Sequence, residues 1–269
     1  MNETKLRLGL VGKDVSKSDS EKIHKFILSE WGVACEYQRF SVAPNEFDSA
    51  VRTLLGDFDG FNITIPYKRD IFEYLDEITG DALSCGSVNT VVCNTRKGYN
   101  TDGVGFLQML ALFGVETKGK KVLVLGAGGS GRSTAVALKN AGARVWLYRR
   151  NQAELQETCE QLGVEPAKDV ERGGYDIVIN CTGVGMHDSV GKSPVESGVF
   201  AGASVAVDLI YTPAQSEFLR LAKAQGLQTL NGASMLFFQA YSADCLYLNK
   251  EPSKREAETL YQKYLQNNG

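Results

Sequence analysis

The stretch KVLVLGAGGSGRSTAVALKNAGARVWLYRR, residues 121–150, decides the fold of the second half of the chain. An apolar run of strand length leads into glycines at positions 126, 128 and 131, and an apolar helical face and a second apolar run follow. Strand, glycine turn, helix and strand in this order predict a β-α-β unit. Because a helix N-terminus presents free N–H groups and a positive dipole end, such a unit is typical of dinucleotide binding.

Each glycine of this turn has its own physical reason. Gly126 permits the tight turn out of the strand, Gly128 lets the backbone approach a pyrophosphate, and Gly131 lets the helix pack against the strand. A glycine turn that serves packing alone is the alternative, because G-x-G-x-x-G spacing by itself is a weak signal. The strand and helix patterns on either side favour nucleotide binding.

Two arginines follow the second strand, at the position that distinguishes NADP from NAD. An acidic residue there hydrogen-bonds the ribose 2′-hydroxyl of NAD, whereas an arginine accommodates the 2′-phosphate of NADP. Arg149 and Arg150 occupy this position, and the first acidic residue after them is Glu154. A guanidinium binds phosphate through paired N–H groups. The pattern predicts NADP as the cofactor, with a solvated basic turn as the alternative.

The bulk properties limit the class of protein. Of the 269 residues, 43% are hydrophobic and 23% charged, and the formal net charge is -3. This balance disfavours a general nucleic-acid binder. No apolar run approaches the roughly 20 residues of a membrane span, and the N-terminus does not resemble a signal peptide. The six cysteines form no C-x-x-C pair, so we expect reduced thiols and a cytoplasmic location. We expect no metal site, because the only histidines are His24 and His187.

Alternating apolar runs and helical stripes extend over the rest of the chain. The first hundred residues alternate strand and helix and predict an α/β layer of their own. The prediction includes a helix with Ser20 as its N-cap and strands over 60–65 and 87–94. Residues 115–231 repeat the β-α alternation, which predicts a parallel, doubly wound sheet. Residues 234–247 and 254–266 have helical periodicity. The predicted fold class is therefore α/β throughout.

Three polar clusters lie where predicted strands of the first half end. They are the loop residues Ser16, Lys17, Ser18 and Ser20; the segment NITIPYK with Asn62, Thr64 and Lys68; and SVNT at 87–90 together with NTDGVG at 100–105. Ligands of α/β sheets bind at the carboxyl ends of strands, so these clusters are candidates for a substrate site. Turn formers and helix caps are the alternative, and Asp102 before a helical stripe fits a cap.

The order of these motifs resembles that of the shikimate dehydrogenase family along almost the whole chain. The matching features are the serine pair of the first loop, N-x-T-x-P-x-K (62–68), G-x-V-N-T (86–90), N-T-D-G (100–103), the glycine turn, N-x-T-x-x-G-M (180–186), D-x-x-Y-x-P (208–213) and G-x-x-M-L-x-x-Q-A (232–240). The resemblance implies a substrate domain over 1–102, completed by C-terminal helices over 233–269, and a Rossmann NADP-binding domain over 103–232. It also implies reversible reduction of 3-dehydroshikimate to shikimate by NADPH, a step of chorismate and aromatic amino acid biosynthesis.

The resemblance further assigns roles to individual residues. Lys68 and Asp102 would form the catalytic pair. The substrate ligands would be Ser18, Ser20, Asn62, Thr64, Lys68, Asn89, Asp102, Tyr211 and Gln239. The cofactor ligands would be Gly126, Ala127, Gly128, Gly129, Ser130, Gly131, Arg149, Arg150, Thr182, Gly183, Met186, Leu209, Gly232 and Met235. We expect a small-molecule substrate, no nucleic-acid or membrane partner, and a monomer or homodimer.

The chemistry of the reaction agrees with these roles. Hydride transfer to a ketone builds negative charge on its oxygen, which must also receive a proton. A lysine ammonium group can stabilise that charge and donate the proton. A carboxylate beside it can orient the lysine and accept a hydrogen bond from a substrate hydroxyl.

Two departures from the family pattern stand out. The first loop has Asp14, Lys17 and Glu21 where the family usually has Pro, His and Pro, so the rigidity of the loop is open. Lys17 either adds positive charge near the substrate carboxylate or points to solvent. After the arginines, residues 152–154 lack the further basic residue that the family often has, which predicts weaker binding of the 2′-phosphate of NADP.

Three rival functions remain at this point. One is quinate dehydrogenase activity on the same scaffold, with dual substrate or NAD use. Another is a non-catalytic NADP-binding sensor, which the presence of both Lys68 and Asp102 disfavours. The third is a different NADP oxidoreductase, such as a methylene-tetrahydrofolate dehydrogenase, which would not need the N-T-D-G and M-L-x-x-Q-A motifs together.

Overall fold

The computed structural model describes residues 5–268, which form two six-stranded sheets flanked by helices. The chain divides into two compact units. The first unit runs up to Gln108 and resumes at Leu236, and the second is Met109–Met235. Within the described range, no helix is both long enough and apolar enough to cross a membrane. The six cysteines are free thiols, four of them buried.

The first unit is built on a mixed sheet. Its strands are β1 (Leu6–Gly12), β2 (Cys35–Ser41), β3 (Gly60–Ile63), β4 (Glu77–Ile78), β5 (Thr90–Val92) and β6 (Lys97–Tyr99). The helices that begin in the first 108 residues are α1 (Ser20–Glu30), α2 (Phe47–Asp57), α3 (Gly80–Cys85) and α4 (Asp102–Leu112). The strand order is β2-β1-β3-β5-β6-β4. The strand β1 is parallel to β2 and β3, whereas β5 is antiparallel to β3 and β6.

The second unit is a parallel, doubly wound sheet. Its strands are β7 (Lys121–Leu125), β8 (Arg144–Tyr148), β9 (Glu165–Pro166), β10 (Ile177–Asn180), β11 (Val205–Asp208) and β12 (Gln228–Asn231). Its helices are α5 (Gly129–Asn140), α6 (Leu155–Leu162) and α7 (Glu217–Ala224). The order β12-β11-β10-β7-β8-β9, with all pairs parallel, confirms the predicted sheet and reverses direction between β7 and β10.

Burial explains why the strands of the second unit read so clearly in the sequence. Every residue of β10 and β11 is buried, because helices cover both faces of a parallel sheet. Such strands are continuous apolar runs rather than alternating patterns. The remaining helices, α8 (Ala233–Tyr247) and α9 (Lys254–Asn268), follow β12, and most of their residues belong to the first unit.

Several predicted element boundaries in the first unit were wrong. The residue before α1 is Asp19, whereas Ser20, predicted as the N-cap, is the first residue of the helix. The strand predicted to continue to Ile65 ends at Ile63, because a turn begins at Thr64. The strand predicted over 87–94 is limited to β5. The short elements β4, α3 and β6 were missed, because runs of two to six residues carry no measurable periodicity.

Candidate active site

The topology of the first unit brings its polar segments to one edge of the sheet. The strands β1 and β3 are parallel and end at Gly12 and Ile63. Since β5 is antiparallel to β3, with Thr90 opposite Asn62, the start of β5 lies beside the end of β3. Asn89, just before β5, donates its backbone N–H to Tyr99 at the end of β6. The residues after β6 therefore begin α4 at the same edge.

A buried ion pair lies in this group of side chains. Nζ of Lys68 is 2.5 Å from Oδ2 of Asp102, and the two side chains are 10% and 8% exposed. Nδ2 of Asn89 donates to the other carboxylate oxygen, Oδ1, at 2.7 Å. The side chain of Asn100 accepts the backbone N–H of Asp102 at 3.0 Å, as a helix cap would. Asp102 thus starts α4 and also holds the lysine.

Neutral amides and hydroxyls extend from this ion pair as one buried network. Nδ2 of Asn89 lies 3.2 Å from Oε1 of Gln239 and 3.0 Å from Oγ1 of Thr101. Its Oδ1 accepts from the hydroxyl of Thr90 at 2.9 Å, and Thr90 in turn accepts from Nδ2 of Asn62 at 3.2 Å. Donors and acceptors arranged in this way suit a polyhydroxylated ligand.

The first loop is fixed by side chains rather than by prolines. Oδ1 of Asp14 accepts from both the backbone N–H (3.1 Å) and the hydroxyl (2.7 Å) of Ser16, which forms a local Asx turn. Nη1 of Arg39 donates to the carbonyl of Ser16 at 2.6 Å, and its Nε lies 3.3 Å from Oε2 of Glu21. Lys17 is exposed. Two of the departures from the family pattern, Asp14 and Glu21, therefore restrain the loop.

The serines of this loop contact each other. The Ser18 hydroxyl donates to Oγ of Ser20 at 3.0 Å and accepts the Ser20 backbone N–H at 3.2 Å. The side chain of Thr64 packs over Gly12, where an added Cβ would lie 2.4 Å from the Thr64 methyl group. Ser18, Ser20 and Thr64 are thus held at the ends of β1 and β3.

One face of β2 supports this loop, and sequence reasoning missed it. Tyr37, Arg39 and Ser41 alternate along the strand and point to the same face. The Tyr37 hydroxyl donates to Oδ1 of Asn62 at 3.2 Å and hydrogen-bonds Ser20, and Oγ of Ser41 accepts the backbone N–H of Val15 at 3.1 Å. The period-two spacing of three polar side chains was the signal that could have identified them.

A second buried polar pair lies behind Tyr37. Nδ1 of His24 is 2.6 Å from Oδ1 of Asp244, and neither side chain has any exposed surface. The imidazole stacks on the Tyr37 ring at a centroid distance of 5.0 Å. Burial raises the pKa of Asp244, and the neighbouring His24 acts in the opposite direction. No local pattern indicates this pair, because its members are 220 residues apart in the sequence.

The glycine turn of the second unit has the geometry that its spacing predicted. Gly126 has φ of +102°, in the region that favours glycine. A Cβ on Gly131 would lie 2.0 Å from the carbonyl oxygen of Gly126, so only glycine permits this approach. Gly128 precedes α5 and has open space around its Cα, with no other group within 4 Å of an added Cβ. The turn therefore leaves room at a free helix N-terminus, which fits a pyrophosphate.

The other predicted cofactor residues, together with the predicted substrate ligand Tyr211, lie at the same edge of the second sheet. Ala127, Gly129 and Ser130 are part of the glycine turn after β7; Arg149 and Arg150 follow β8; Thr182, Gly183 and Met186 follow β10; Leu209 and Tyr211 follow β11; and Gly232 and Met235 follow β12. These are the carboxyl ends of parallel strands on both sides of the point where the strand order reverses, which is where such sheets bind ligands.

Two buried side chains shape the loops after β10 and β11. Oδ1 of Asn180 accepts the hydroxyl of Thr182 at 2.7 Å, and its Nδ2 donates to Oδ1 of Asp208 at 3.0 Å. Asp208 also accepts the hydroxyl of Ser216 and the backbone N–H of Ile210. Burial raises the pKa of Asp208, and these hydrogen bonds lower it. Asn180 and Asp208 thus fix the loops after β10 and β11.

The two arginines differ in their surroundings. Nη2 of Arg149 lies 2.6 Å from Oε2 of Glu154, and its Nη1 donates to Oγ1 of Thr158 at 3.3 Å. Arg150 is exposed, and no acidic group among residues 5–268 forms an ion pair with it. The residues present fit NADP: open space above a helix N-terminus for the pyrophosphate, and two guanidinium groups at the end of β8 for a 2′-phosphate.

A doubly wound nucleotide-binding unit and a buried lysine–aspartate pair among hydroxyls and amides define the class as an NADP-dependent oxidoreductase. The family described as shikimate dehydrogenase substrate binding domain matches residues 10–91. A protein of Caldanaerobacter subterraneus subsp. tengcongensis, named shikimate dehydrogenase (NADP(+)), is 38% identical over 89% of this chain and 90% of its own length. The chain belongs to the shikimate dehydrogenase family.

Solved structures agree with this membership. The chorismate mutase/shikimate 5-dehydrogenase fusion protein from Clostridium acetobutylicum is 32% identical, with a TM-score of 0.89 over 98% of both chains. Shikimate 5-dehydrogenase from Thermus thermophilus, in complex with NADP(H) and shikimate, is also 32% identical. Its TM-score is 0.87 over 96% of this chain and 99% of that one.

Proposed function

We propose that this protein is an NADP-dependent shikimate dehydrogenase, which reversibly reduces 3-dehydroshikimate to shikimate on the route to chorismate and the aromatic amino acids. The observation that carries the proposal is the ion pair of Lys68 and Asp102 within a buried network of neutral hydrogen-bonding groups. Relatives named shikimate dehydrogenase (NADP(+)) across nearly the whole chain support the same activity. The unit up to Gln108, resumed at Leu236, is then the substrate domain.

The side chains of the first unit can perform the proton chemistry of this reaction. When bound, NADPH supplies a hydride to the carbonyl carbon. The Lys68 ammonium stabilises the negative charge that develops on the carbonyl oxygen and donates a proton to it. Asp102 holds the ammonium in place through Oδ2 and accepts a substrate hydroxyl. In the direction of shikimate oxidation, neutral Lys68 takes the proton back.

The remaining substrate contacts are proposed from the network and the first loop. The hydroxyls of Ser18 and Ser20 would bind the substrate carboxylate. Asn62, Thr64, Asn89 and Gln239 would bind the ring hydroxyls, because each is a neutral group at the edge formed by β3 and β5. Tyr211, on the loop after β11, would contact substrate and nicotinamide.

The cofactor contacts are proposed from the second unit. The N–H groups of residues 127–131 would bind the pyrophosphate, and Arg149 and Arg150 the 2′-phosphate. The loops that begin at Thr182 and Leu209, with Gly232 and Met235, would line the nicotinamide end. We also propose a cytoplasmic location, which the six free thiols support, and a monomer or homodimer.

The test is a direct assay of the purified protein with shikimate or quinate, each with NADP or NAD, followed by the absorbance of the reduced nicotinamide. We expect shikimate with NADP to give the highest kcat/KM of the four pairs. Higher activity with quinate would favour the quinate dehydrogenase alternative. Absence of reduction with all four pairs, in a protein that still binds NADPH, would favour a sensor and overturn the proposal.

A further inference from the structure

Glu154 lies in the turn that follows the two arginines and is fixed there through both carboxylate oxygens. Its Oε1 accepts from Nδ2 of Asn151 at 2.6 Å, and its Oε2 lies 2.6 Å from Nη2 of Arg149. Asn151 is itself held, because its Oδ1 accepts the backbone N–H of Ala153 at 3.2 Å. The carboxylate is therefore part of the local turn structure, although its side chain is 55% exposed.

The same contacts hold the guanidinium of Arg149 toward α6. Besides the ion pair with Glu154, Nη1 of Arg149 donates to the hydroxyl of Thr158, and the Arg149 side chain is only 26% exposed. The Thr158 hydroxyl in turn donates to the backbone carbonyl of Glu154 at 2.7 Å. Arg150, the next residue, has no such partner among the described residues and is exposed.

These residues stand at the end of β8, where a Rossmann sheet distinguishes a ribose 2′-hydroxyl from a 2′-phosphate. A phosphate gains from every guanidinium it can reach and is repelled by a carboxylate at the same place. We infer that Glu154 is a specificity-determining residue, which withholds Arg149 from the 2′-position and leaves Arg150 as the principal phosphate ligand. Glu154 thereby lowers the preference for NADP over NAD.

This inference rests on the proposed NADP site but not on turnover, so nucleotide binding can test it alone. The probes are adenosine 2′,5′-bisphosphate, which carries the 2′-phosphate, and 5′-AMP, which lacks it. Calorimetry would compare the wild type with Glu154→Gln, which keeps the size and an acceptor for Asn151 but removes the charge. Glu160→Gln is the matched control, because Glu160 is exposed on α6, the helix that follows Glu154, and its carboxylate accepts a hydrogen bond from Nε2 of Gln156.

We expect Glu154→Gln to bind the bisphosphate roughly three to ten times more tightly at low ionic strength, the scale of one exposed charge near a dianion. The affinity for 5′-AMP should change by less than about twofold. The gain should shrink as salt is raised, because screening weakens interactions between exposed charges, whereas a structural effect of the substitution would not follow the ionic strength. Glu160→Gln should leave both affinities unchanged.

The arginine variants test the mechanism. Arg150→Ala should weaken bisphosphate binding more than Arg149→Ala does. The gain from Glu154→Gln should be clearly smaller when Arg149 is already alanine, because only the direct repulsion between Glu154 and the phosphate is then relieved. An unchanged ratio of the two affinities in Glu154→Gln, or a gain of the same size with and without Arg149, would overturn the inference. Failure of the proposed function has a different signature, which is binding of the bisphosphate without shikimate oxidation.

Discussion

Nζ of Lys68 lies 2.5 Å from Oδ2 of Asp102, and Asn89 takes the other oxygen of the same carboxylate at 2.7 Å. Both carboxylate oxygens of Asp102 therefore accept hydrogen bonds from protein side chains. The Lys68 ammonium group is held by a carboxylate whose orientation is fixed by Asn89. A buried ion pair is costly to break, because the remaining member is left as an uncompensated charge. Lys68 and Asp102 should behave as one functional unit.

Replacing the lysine tests the proton donor. We expect Lys68→Ala to lower kcat by roughly 10² or more, the scale of a lost general acid, with little change in the Kd for NADPH. Lys68→Arg keeps a positive charge but carries a group that does not release its proton, so it should recover little of the lost rate. Steady-state kinetics and NADPH fluorescence titration measure the two quantities. Near-normal turnover of Lys68→Ala would exclude Lys68 from the mechanism.

Replacing the Asp102 carboxylate tests whether Lys68 and Asp102 act together. Asp102→Asn keeps the shape and one acceptor for Asn89 but removes the charge that holds Lys68. We expect kcat/KM for shikimate to fall by about 10² or more. In the double variant Lys68→Ala/Asp102→Asn the loss should be far smaller than the product of the single losses, because residues that act together are not additive. Fully multiplicative losses would show that the two residues act independently.

The two units differ in how much of their structure could be predicted from the sequence. In the second unit, the strands β7, β10 and β11 are buried on both faces, so they appear in the sequence as apolar runs, and the glycine turn marks where β7 ends and α5 begins. In the first unit, β4 and β6 have only two and three residues, and they are strands because β4 pairs with β6 and β6 also pairs with β5. Such elements are set by tertiary contacts and leave no local pattern.

The candidate site shows the same division. Ordered motifs identified Asn62, Lys68, Asn89 and Asp102, which the structure joins in one hydrogen-bonded network. The motifs did not identify the side chains behind them, such as Tyr37 on β2. Those residues contact the site only because the strands pair and bring distant parts of the chain together. A single sequence does not show which distant residues become neighbours.

The restraint of the first loop by Arg39 leads to a prediction about substrate affinity. Arg39→Ala removes the hydrogen bond to the Ser16 carbonyl and the ion pair with Glu21, and so frees the loop that carries Ser18 and Ser20. We expect KM for shikimate to rise about three- to tenfold, with kcat and KM for NADP unchanged. The lost contacts contribute about 1 kcal/mol to ordering the loop, and substrate binding must then supply this free energy. Arg52→Ala on α2, which breaks an exposed pair with Asp48, is the control. An equal rise in KM for shikimate in Arg39→Ala and Arg52→Ala would contradict a role of the first loop in substrate binding.

The basic pair after β8 leads to a prediction about the cofactor. We expect the double variant Arg149→Ala/Arg150→Ala to weaken NADPH binding by at least about tenfold, while NADH binding changes by about twofold or less, because only NADPH carries the 2′-phosphate. Fluorescence titration with each nucleotide measures both constants. Equal losses for NADPH and NADH would show that the two residues support the fold of the turn rather than the phosphate.

The buried pair of His24 and Asp244 leads to a prediction about stability and its dependence on pH. Removal of one partner, as in Asp244→Ala, should cost about 1–3 kcal/mol, because the buried Nδ1 of His24 loses its hydrogen-bond partner. Burial raises the pKa of Asp244 above its ordinary value of 3.8. The folded state therefore holds this proton more tightly than the unfolded state, so the stabilising contribution is complete below about pH 4 and is lost as the pH rises through the folded-state pKa.

Urea denaturation from pH 4 to 7 should show the free energy of unfolding of the wild type decreasing relative to that of Asp244→Asn, which cannot ionise. A difference that is constant or grows with pH would show that the folded state does not hold the Asp244 proton more tightly than the unfolded state, and would contradict the prediction.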